Sequence, residues 1–495
     1  MGTMRTVAPP SATHRGLLRN YVGGEWVEAT SNETQQVVNP ATSEALADVP
    51  LSNAADVDRA VHSAQAAFLP WRQTPPQQRV QHLYRLKSLM ERHREDIART
   101  VTTEHGKTLE DARGSVQRAI ENVEVACGIP SLMMGYGLED GAARGIDEEV
   151  IRQPLGVFAA ICPFNFPAMV PFWFLPYAVA CGDTFIVKPS EQVPLTQRFI
   201  FELIHEAGFP PGVLNLVNGS KVAVDAILDH PLIKGVSFVG STPIARYVYR
   251  RAAENGKRVQ AQGGAKNVLV VMPDAVLDKS IPNIMGSSFG SAGQRCLAGS
   301  LAVTVADAGE RALLAIAEGA RALRVGNGLD DGIDVGPVIS DAARDRIVAS
   351  IQRGVDEGAR LVVDGRGAAE NRQGFFVGPT VFAGVETTMS IAKTEIFGPV
   401  LGVIAVETLD QALQIIEGLP YGNAASIFTE NGKAAREFRY RAPVGNVGVN
   451  VGVAAPMAYF PFSGWKESFF GTLHGQGRDA IDFFTDRKVV VTRWF

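Results

Sequence analysis

Cysteine is scarce in this chain, and basic charge is not in excess. Four cysteines occur in 495 residues: Cys127, Cys162, Cys181 and Cys296. None stand in a C-x-x-C spacing, which argues against a zinc site, and no metal is expected. So few thiols in so long a chain suit a reducing compartment, and a cytoplasmic protein is expected. The net charge of −5 gives no positive field of the kind that nucleic acid or an anionic membrane requires. A few arginines in one pocket would still serve a small anionic substrate. The start of the sequence, MGTMRTVAPPSATHRG, has no apolar stretch of the secretory type. Its Arg5 and Arg15, with no acidic residue, weakly resemble a transit peptide; the plainer expectation is a frayed end. The longest apolar run, Phe166 to Cys181, contains Pro167, Pro171 and Pro176. Three prolines in so short a span predict a loop entering a buried helix, not a membrane span. Internal repeats and low-complexity linkers are also missing.

What is present is ordinary for a globular enzyme: 46% apolar and 20% charged residues, spread over a length that calls for two or three domains. Tyr21 to Trp26 reads as a hairpin turning at Gly23-Gly24. Helical periodicity runs from about Ala54 to Glu124, for example at Leu83, Leu86 and Met90. Residues 149–161 read as strand, interrupted from Pro154 to Gly156. Strands at 185–189, 213–217 and 235–240 then alternate with helices from Thr196 to Ala207 and from Pro243, which predicts parallel βαβ units. Ligands of such sheets sit beyond the carboxyl ends of the strands, so 188–191 and 240–245 are candidate nucleotide loops. A second α/β region begins near Asn267, with a helix at 281–292, a strand at 301–306 and a helix at 309–322. The tail 487–494 is a β-branched strand with no partner in its own neighbourhood, a type that joins another element or another subunit.

The chemistry concentrates in a few segments. In FGSAGQRCLAGS (289–300), small residues precede Cys296 and Arg295 adjoins it. That setting favours a reactive thiolate, whereas Cys127, Cys162 and Cys181 read as inert core thiols. PFNFP (163–167) aims the Asn165 amide from between two Phe-Pro corners, as a donor to a developing oxyanion needs; the plain alternative is a turn asparagine. KPSE (188–191) ends a strand with Lys188 and Glu191, a pair suited to a ribose with free hydroxyls; the alternative is a surface ion pair. GSTPIA (240–245) keeps only the first glycine of a phosphate-binding turn. EIFGP (395–399) offers Glu395 to a second ribose, or is a plain strand-to-loop junction.

Taken in order, PFNFP, VKPSE, GFPPGVLNLVNG, SFVGST, GQRC and EIFGPV resemble the aldehyde dehydrogenase superfamily, from about Tyr21 to Trp494. The resemblance implies an α/β fold with a Rossmann-like NAD domain (1–137 and 156–262), an α/β catalytic domain (263–460) and a small bridging element of strands (138–155 and 473–495). It implies Cys296 as nucleophile and Asn165 as oxyanion donor. It puts Lys188 and Glu191 on the adenosine ribose and Glu395 on the nicotinamide ribose, with Phe164, Gly240, Ser241 and Phe397 as further NAD contacts. A homotetramer or homodimer is expected.

Hydrolytic members carry E-L-G-G-K, whose glutamate activates water. This chain reads Ala261-Gln262-Gly263-Gly264-Ala265-Lys266; Ala261 removes the base, and Gln262 is not basic. GGAKNVLVVMPDA (263–275), the arginine of GQRC and FPFSGWKESFFGTLHGQG (460–477) are similar to the branch acting on methylmalonate and malonate semialdehydes with coenzyme A as acyl acceptor. EHGKTLEDARGSVQRAIENVE (104–124) is similar to that branch's segment bearing an arginine for the substrate carboxylate, which by position is Arg118. With Arg295 it would form a two-arginine clamp, since a planar guanidinium binds carboxylate in bidentate fashion; alone, Arg118 would read as a solvated helix residue. The expected reaction is oxidative decarboxylation of methylmalonate or malonate semialdehyde to propanoyl-CoA or acetyl-CoA. The rivals are a hydrolytic aldehyde dehydrogenase using another base, and a dehydrogenase-like protein without catalysis.

Overall fold

The computed structural model describes residues 15–369 and 373–495, so most of the arginine-bearing terminal segment lies outside the described residues. The Tyr21–Trp26 hairpin forms, with Tyr21 opposite Trp26 and Gly23 and Gly24 both at positive φ, as a two-residue primed turn demands. It opens an eight-stranded sheet in the order Glu25–Val27, Asn20–Val22, Leu214–Leu216, Thr184–Lys188, Val157–Ile161, Ile233–Val239, Arg258–Gln262, Phe469–Phe470. Its five central strands are parallel. Val157–Ile161 and Thr184–Lys188 are buried at every position, the pattern of strands covered on both faces.

The helical region resolves into four helices, α1 (Ala54–Gln73), α2 (Pro76–Arg92), α3 (Arg94–His105) and α4 (Leu109–Cys127). Pro75 separates the first two, and Gly106 at φ 92° ends α3. The proline-rich run is a loop feeding two short buried helices, Met169–Phe172 and Leu175–Cys181. Among the described residues no helix is long and apolar enough to cross a membrane.

The second sheet has seven strands in the order Arg360–Val363, Thr380–Ala383, Val400–Val406, Gly299–Val305, Asn267–Val271, Ala424–Phe428, Asn446–Val449. All neighbours are parallel except the first pair. The helix expected at 281–292 runs instead from Leu277 to Phe289. It stops at Gly290 because Ser291 and Ala292 turn left-handed.

The C-terminal strand Thr485–Arg493 does find a partner in its own chain. It pairs antiparallel with Ile146–Pro154, and Tyr136–Leu138 completes a three-stranded sheet. The segment 473–495 is not all strand, however. Gly477–Phe484 is a helix, and Ile481, Phe483 and Phe484 enter the main core.

Candidate active site

The turn before Cys296 is strained. Ser291 (φ 50°) and Ala292 (φ 53°) are consecutive non-glycine residues in left-handed conformation, each costing about 1–3 kcal/mol and persisting only where the surroundings enforce it. Asp111 of α4 does so: its Oδ2 accepts from Ser291 N at 2.8 Å and from Ser291 Oγ at 3.2 Å. Beyond the turn, the Cys296 carbonyl accepts from Asn267 Nδ2 at 2.9 Å and Asn423 Nδ2 at 2.7 Å. The Cys296 backbone is thereby tied to the amino ends of two strands of the second sheet, while the residue packs against the core that includes Phe158 and Phe185 of the first.

Helix α4 supplies the opposite wall. Thr108 caps it, accepting from Asp111 N at 3.2 Å. Asp111, Ser115, Arg118 and Asn122 follow at helical spacing on one face and line a cavity of about 250 Å³ with Cys296 and Arg295. The structure therefore brings Cys296, Arg118 and Arg295 together, although residues 118 and 295 lie far apart in sequence. Arg118 pairs with Glu121 one turn away, at 2.8 Å. Such a half-exposed pair is weak, so a substrate carboxylate can replace it. Arg295 pairs with Asp111.

Asn165 is buried beside the segment that leads into Cys296. Its Nδ2 donates to Gln294 O at 3.0 Å, which uses one of the amide's two hydrogens. Its own carbonyl accepts from Lys107 Nζ at 2.7 Å. Lys107 is fully buried and sits 3.8 Å from the Phe166 ring centroid. Burial pulls its ammonium down to about 7. Neither Lys107 nor Asp111 stood out in the sequence. The T-x-x-D spacing of Thr108 and Asp111 signals a helix start, but nothing local reports that Asp111 reaches residues 291 and 295.

One expectation needs correction. The sequence leads one to expect Arg295 to hold Cys296 as a thiolate. Here burial pushes the thiol up to about 12, the Glu395 anion adds to that, and Arg295 opposes it only weakly, because its guanidinium is turned to Asp111. Glu395 itself is raised to about 7, chiefly by burial. Its Oε1 accepts from Ala265 N at 2.9 Å, and a Cβ at Gly264 would lie 2.2 Å from its Oε2, so a larger residue there would push the carboxylate aside.

Positions 261 and 262 hold no base. Ala261 is fully buried and packs with the core that includes Val236 and Ala245, so its side chain does not serve the site. Strand alternation turns Gln262 to the other face, against Gly475, with its Nε2 buried and unpartnered. Neither residue offers a carboxylate.

The expected dinucleotide residues lie on the carboxyl edge of the first sheet. Lys188 ends its strand and pairs with Glu191 at 3.2 Å. Gly240 and Ser241 join the strand Ile233–Val239 to the helix Thr242–Glu254, whose first turn has no side-chain cap. Phe164 follows the strand between them and meets Phe397 edge-on at 5.9 Å.

Outside this site, one His/Asp group has metal-ligand spacing among the described residues: Asp58, His62 and His230. Leu232 N donates to His230 Nδ1 at 3.2 Å. That leaves the proton on Nε2, which faces Asp58 Oδ1 at 3.2 Å, so this nitrogen has no lone pair for a metal.

Two α/β sheets with parallel centres, a cysteine held between their cores, and a C-terminal strand that returns to pair with Ile146–Pro154 define an aldehyde dehydrogenase fold. The chain belongs to the aldehyde dehydrogenase family, whose model matches residues 26–490. It is 50% identical over 483 residues to malonate-semialdehyde dehydrogenase 3 of Geobacillus kaustophilus, covering 97% of this chain and 100% of that protein. It superposes on the crystal structure of methylmalonate-semialdehyde dehydrogenase from Oceanimonas doudoroffii with a TM-score of 0.95, at 45% identity, covering 97% and 99% of the two chains. A Sinorhizobium meliloti structure in complex with NAD, provisionally assigned as a methylmalonate-semialdehyde dehydrogenase, also gives 0.95, at 44% identity over 98% and 99%.

Proposed function

We propose that this protein is an NAD-dependent, coenzyme A-acylating semialdehyde dehydrogenase that converts methylmalonate or malonate semialdehyde to propanoyl-CoA or acetyl-CoA. The observation that carries this reading is the shared cavity: the one cysteine with access to it stands beside two arginines, and neither position 261 nor 262 holds a carboxylate base. The names of the relatives described above support the substrate class.

The edge formed by Lys188, Glu191 and Ser241 fits NAD. Glu191 suits ribose hydroxyls, and the uncapped start of the helix Thr242–Glu254 suits a pyrophosphate. When bound, NAD supplies the hydride acceptor. Cys296 adds to the aldehyde carbon, and the second hydrogen of the Asn165 amide stabilises the oxyanion. Arg118 and Arg295 hold the substrate carboxylate. Once oxidised, the acyl group is a thioester on Cys296; it loses carbon dioxide from its β-carboxylate and passes to coenzyme A.

Two experiments test this. Cys296→Ala abolishes NADH formation while NAD binding persists; turnover by that variant would remove the nucleophile assignment. Mixing enzyme, NAD and semialdehyde without coenzyme A gives a burst of about one NADH per site and then a slow rate, because a missing general base costs about 100- to 10,000-fold. Adding coenzyme A raises the steady rate and makes acyl-CoA the product. Equal rates in both mixtures, with free acid as product, would favour hydrolysis. Glu395 is the specific candidate for that rival: it lies close enough to raise the Cys296 thiol, and its own pKa of about 7 suits a base.

A further inference from the structure

The guanidinium of Arg295 has five N–H donors, and the structure commits three of them. Nη2 pairs with Asp111 Oδ1. Nε donates to Ser291 Oγ at 3.4 Å, and Nη1 donates to Gly286 O at 3.3 Å. Nε and Nη2 form the side-on face of the group, and that face is given to Asp111 and Ser291. One hydrogen then remains on each Nη. With Gly286 O served by the Nη1 hydrogen that points back along the side chain, those two form the end-on pair, the geometry in which a guanidinium grips a carboxylate with two parallel bonds.

We infer that Asp111 is the positioning residue that presets Arg295 as an end-on fork for the substrate carboxylate, and so sets the preference for carboxylated over neutral aldehydes. The inference rests on the semialdehyde reading above. Three features support it. Asp111 lines the same cavity as Arg118, Arg295 and Cys296. Burial works against its charge, but Arg295, Lys107 and the two Ser291 bonds outweigh burial and hold its carboxyl below the usual range. Its second oxygen is spent on the strained turn, so Asp111 cannot swing away without releasing Ser291. The carboxylate therefore binds the turn that carries the nucleophile and the arginine that orients the substrate as one rigid unit.

The test is a double-mutant cycle on the whole protein with NAD and coenzyme A present. Initial rates with malonate semialdehyde and with propanal are compared for wild type, Asp111→Asn, Arg295→Leu and the double variant. Asn keeps an acceptor oxygen for Ser291 but lacks the charge that aims Arg295. Asp111→Asn lowers the ratio of kcat/KM for semialdehyde over propanal about tenfold, mostly through KM, the loss expected for one charge-assisted bond. In the Arg295→Leu background the same change moves that ratio less than about twofold, because the two residues act as one unit. An equal loss on both substrates, or effects that multiply in the double variant, would overturn the assignment. Arg295→Leu with an unchanged ratio would overturn the carboxylate reading itself, and this inference with it. Arg295→Leu that loses the ratio while Asp111→Asn keeps it would overturn the role of Asp111 alone. Should Asp111→Asn not fold, Arg295→Lys tests the fork on which the role of Asp111 depends: an ammonium has no second face, so the ratio falls well below wild type, and a retained ratio would defeat the fork and the inference with it.

Discussion

Cys296 and Glu395 form a pair in which each group's surroundings disfavour its charge. Burial is the larger cause for both, and the Glu395 anion further raises the thiol. Replacing Glu395 by Gln removes an anion, so the thiol pKa falls and the thiolate fraction rises. Glu395 ionises around 7. Below that pH it is neutral, and Glu395→Gln should alkylate with iodoacetamide at nearly the wild-type rate. Above it, the variant should pull ahead, up to about tenfold for each unit by which the thiol pKa falls. The wild-type rate should climb with pH and show no plateau by pH 10. Superimposable pH profiles for the two proteins would mean that Glu395 does not reach Cys296. At this scale the sequence is informative where a residue acts through its own neighbours. Cys296 stands out because small residues surround it, and Asn165 because Phe-Pro corners flank it. Asp111 and Lys107 do not, because their partners at 291, 295 and 165 meet them only through folding. Arg118 was legible through family likeness and not through its spacing, since a helix-surface arginine looks the same with or without a substrate.

On the proposed mechanism, the turn Gly290–Gly293 is the element on which the chemistry depends most directly. Gly293 has φ 70°, and a Cβ there would lie 2.1 Å from Gly398 O. The obstruction is backbone and cannot rotate away. Gly293→Ala should destabilise the fold by at least about 1–3 kcal/mol from backbone strain alone, and should lower kcat more than tenfold by displacing Cys296, as small errors of placement do. Urea unfolding and initial rates measure the two effects. An unaltered midpoint with full activity would show that this turn has slack. The parallel strands were readable because they are short, continuously apolar and separated by helices of regular period. The sequence sets the helix Leu277–Phe289 too late because its start has no side-chain cap and holds Pro282 in its second turn, while its end is set by a left-handed turn that sequence does not announce. The helix Gly477–Phe484 was missed next to a strand whose β-branched run dominates the tail.

At the scale of the whole molecule, the three-stranded sheet stands apart from both larger sheets. Its register sets Tyr136 opposite Val150 and Val150 opposite Val489, with Leu138, Glu148 and Val491 in the next row. Directly paired residues share a face, so Tyr136, Leu138, Val489 and Val491 form one patch. All four are more than half exposed, at 72%, 64%, 64% and 61%. Water-facing apolar rows of this kind mark an interaction surface. Pairing with Ile146–Pro154 satisfies only one edge of the C-terminal strand; among the described residues its other edge has no strand partner. We propose that a second copy of the chain covers this sheet. In solution the protein should then run at a multiple of its 53.0 kDa chain mass. The double variant Val489→Lys with Val491→Lys places two charges on the patch, where burial would strip them of water at a cost of several kcal/mol. It should shift to a smaller assembly by light scattering, and its circular dichroism should stay native because both side chains already face solvent within the chain. Its single-turnover NADH burst should persist, since the cavity at Cys296 is lined by other elements. A wild-type protein that is monomeric at micromolar concentration, or a double variant of unchanged mass, would show that the sheet serves only to tie the C-terminal strand to Ile146–Pro154 within one chain.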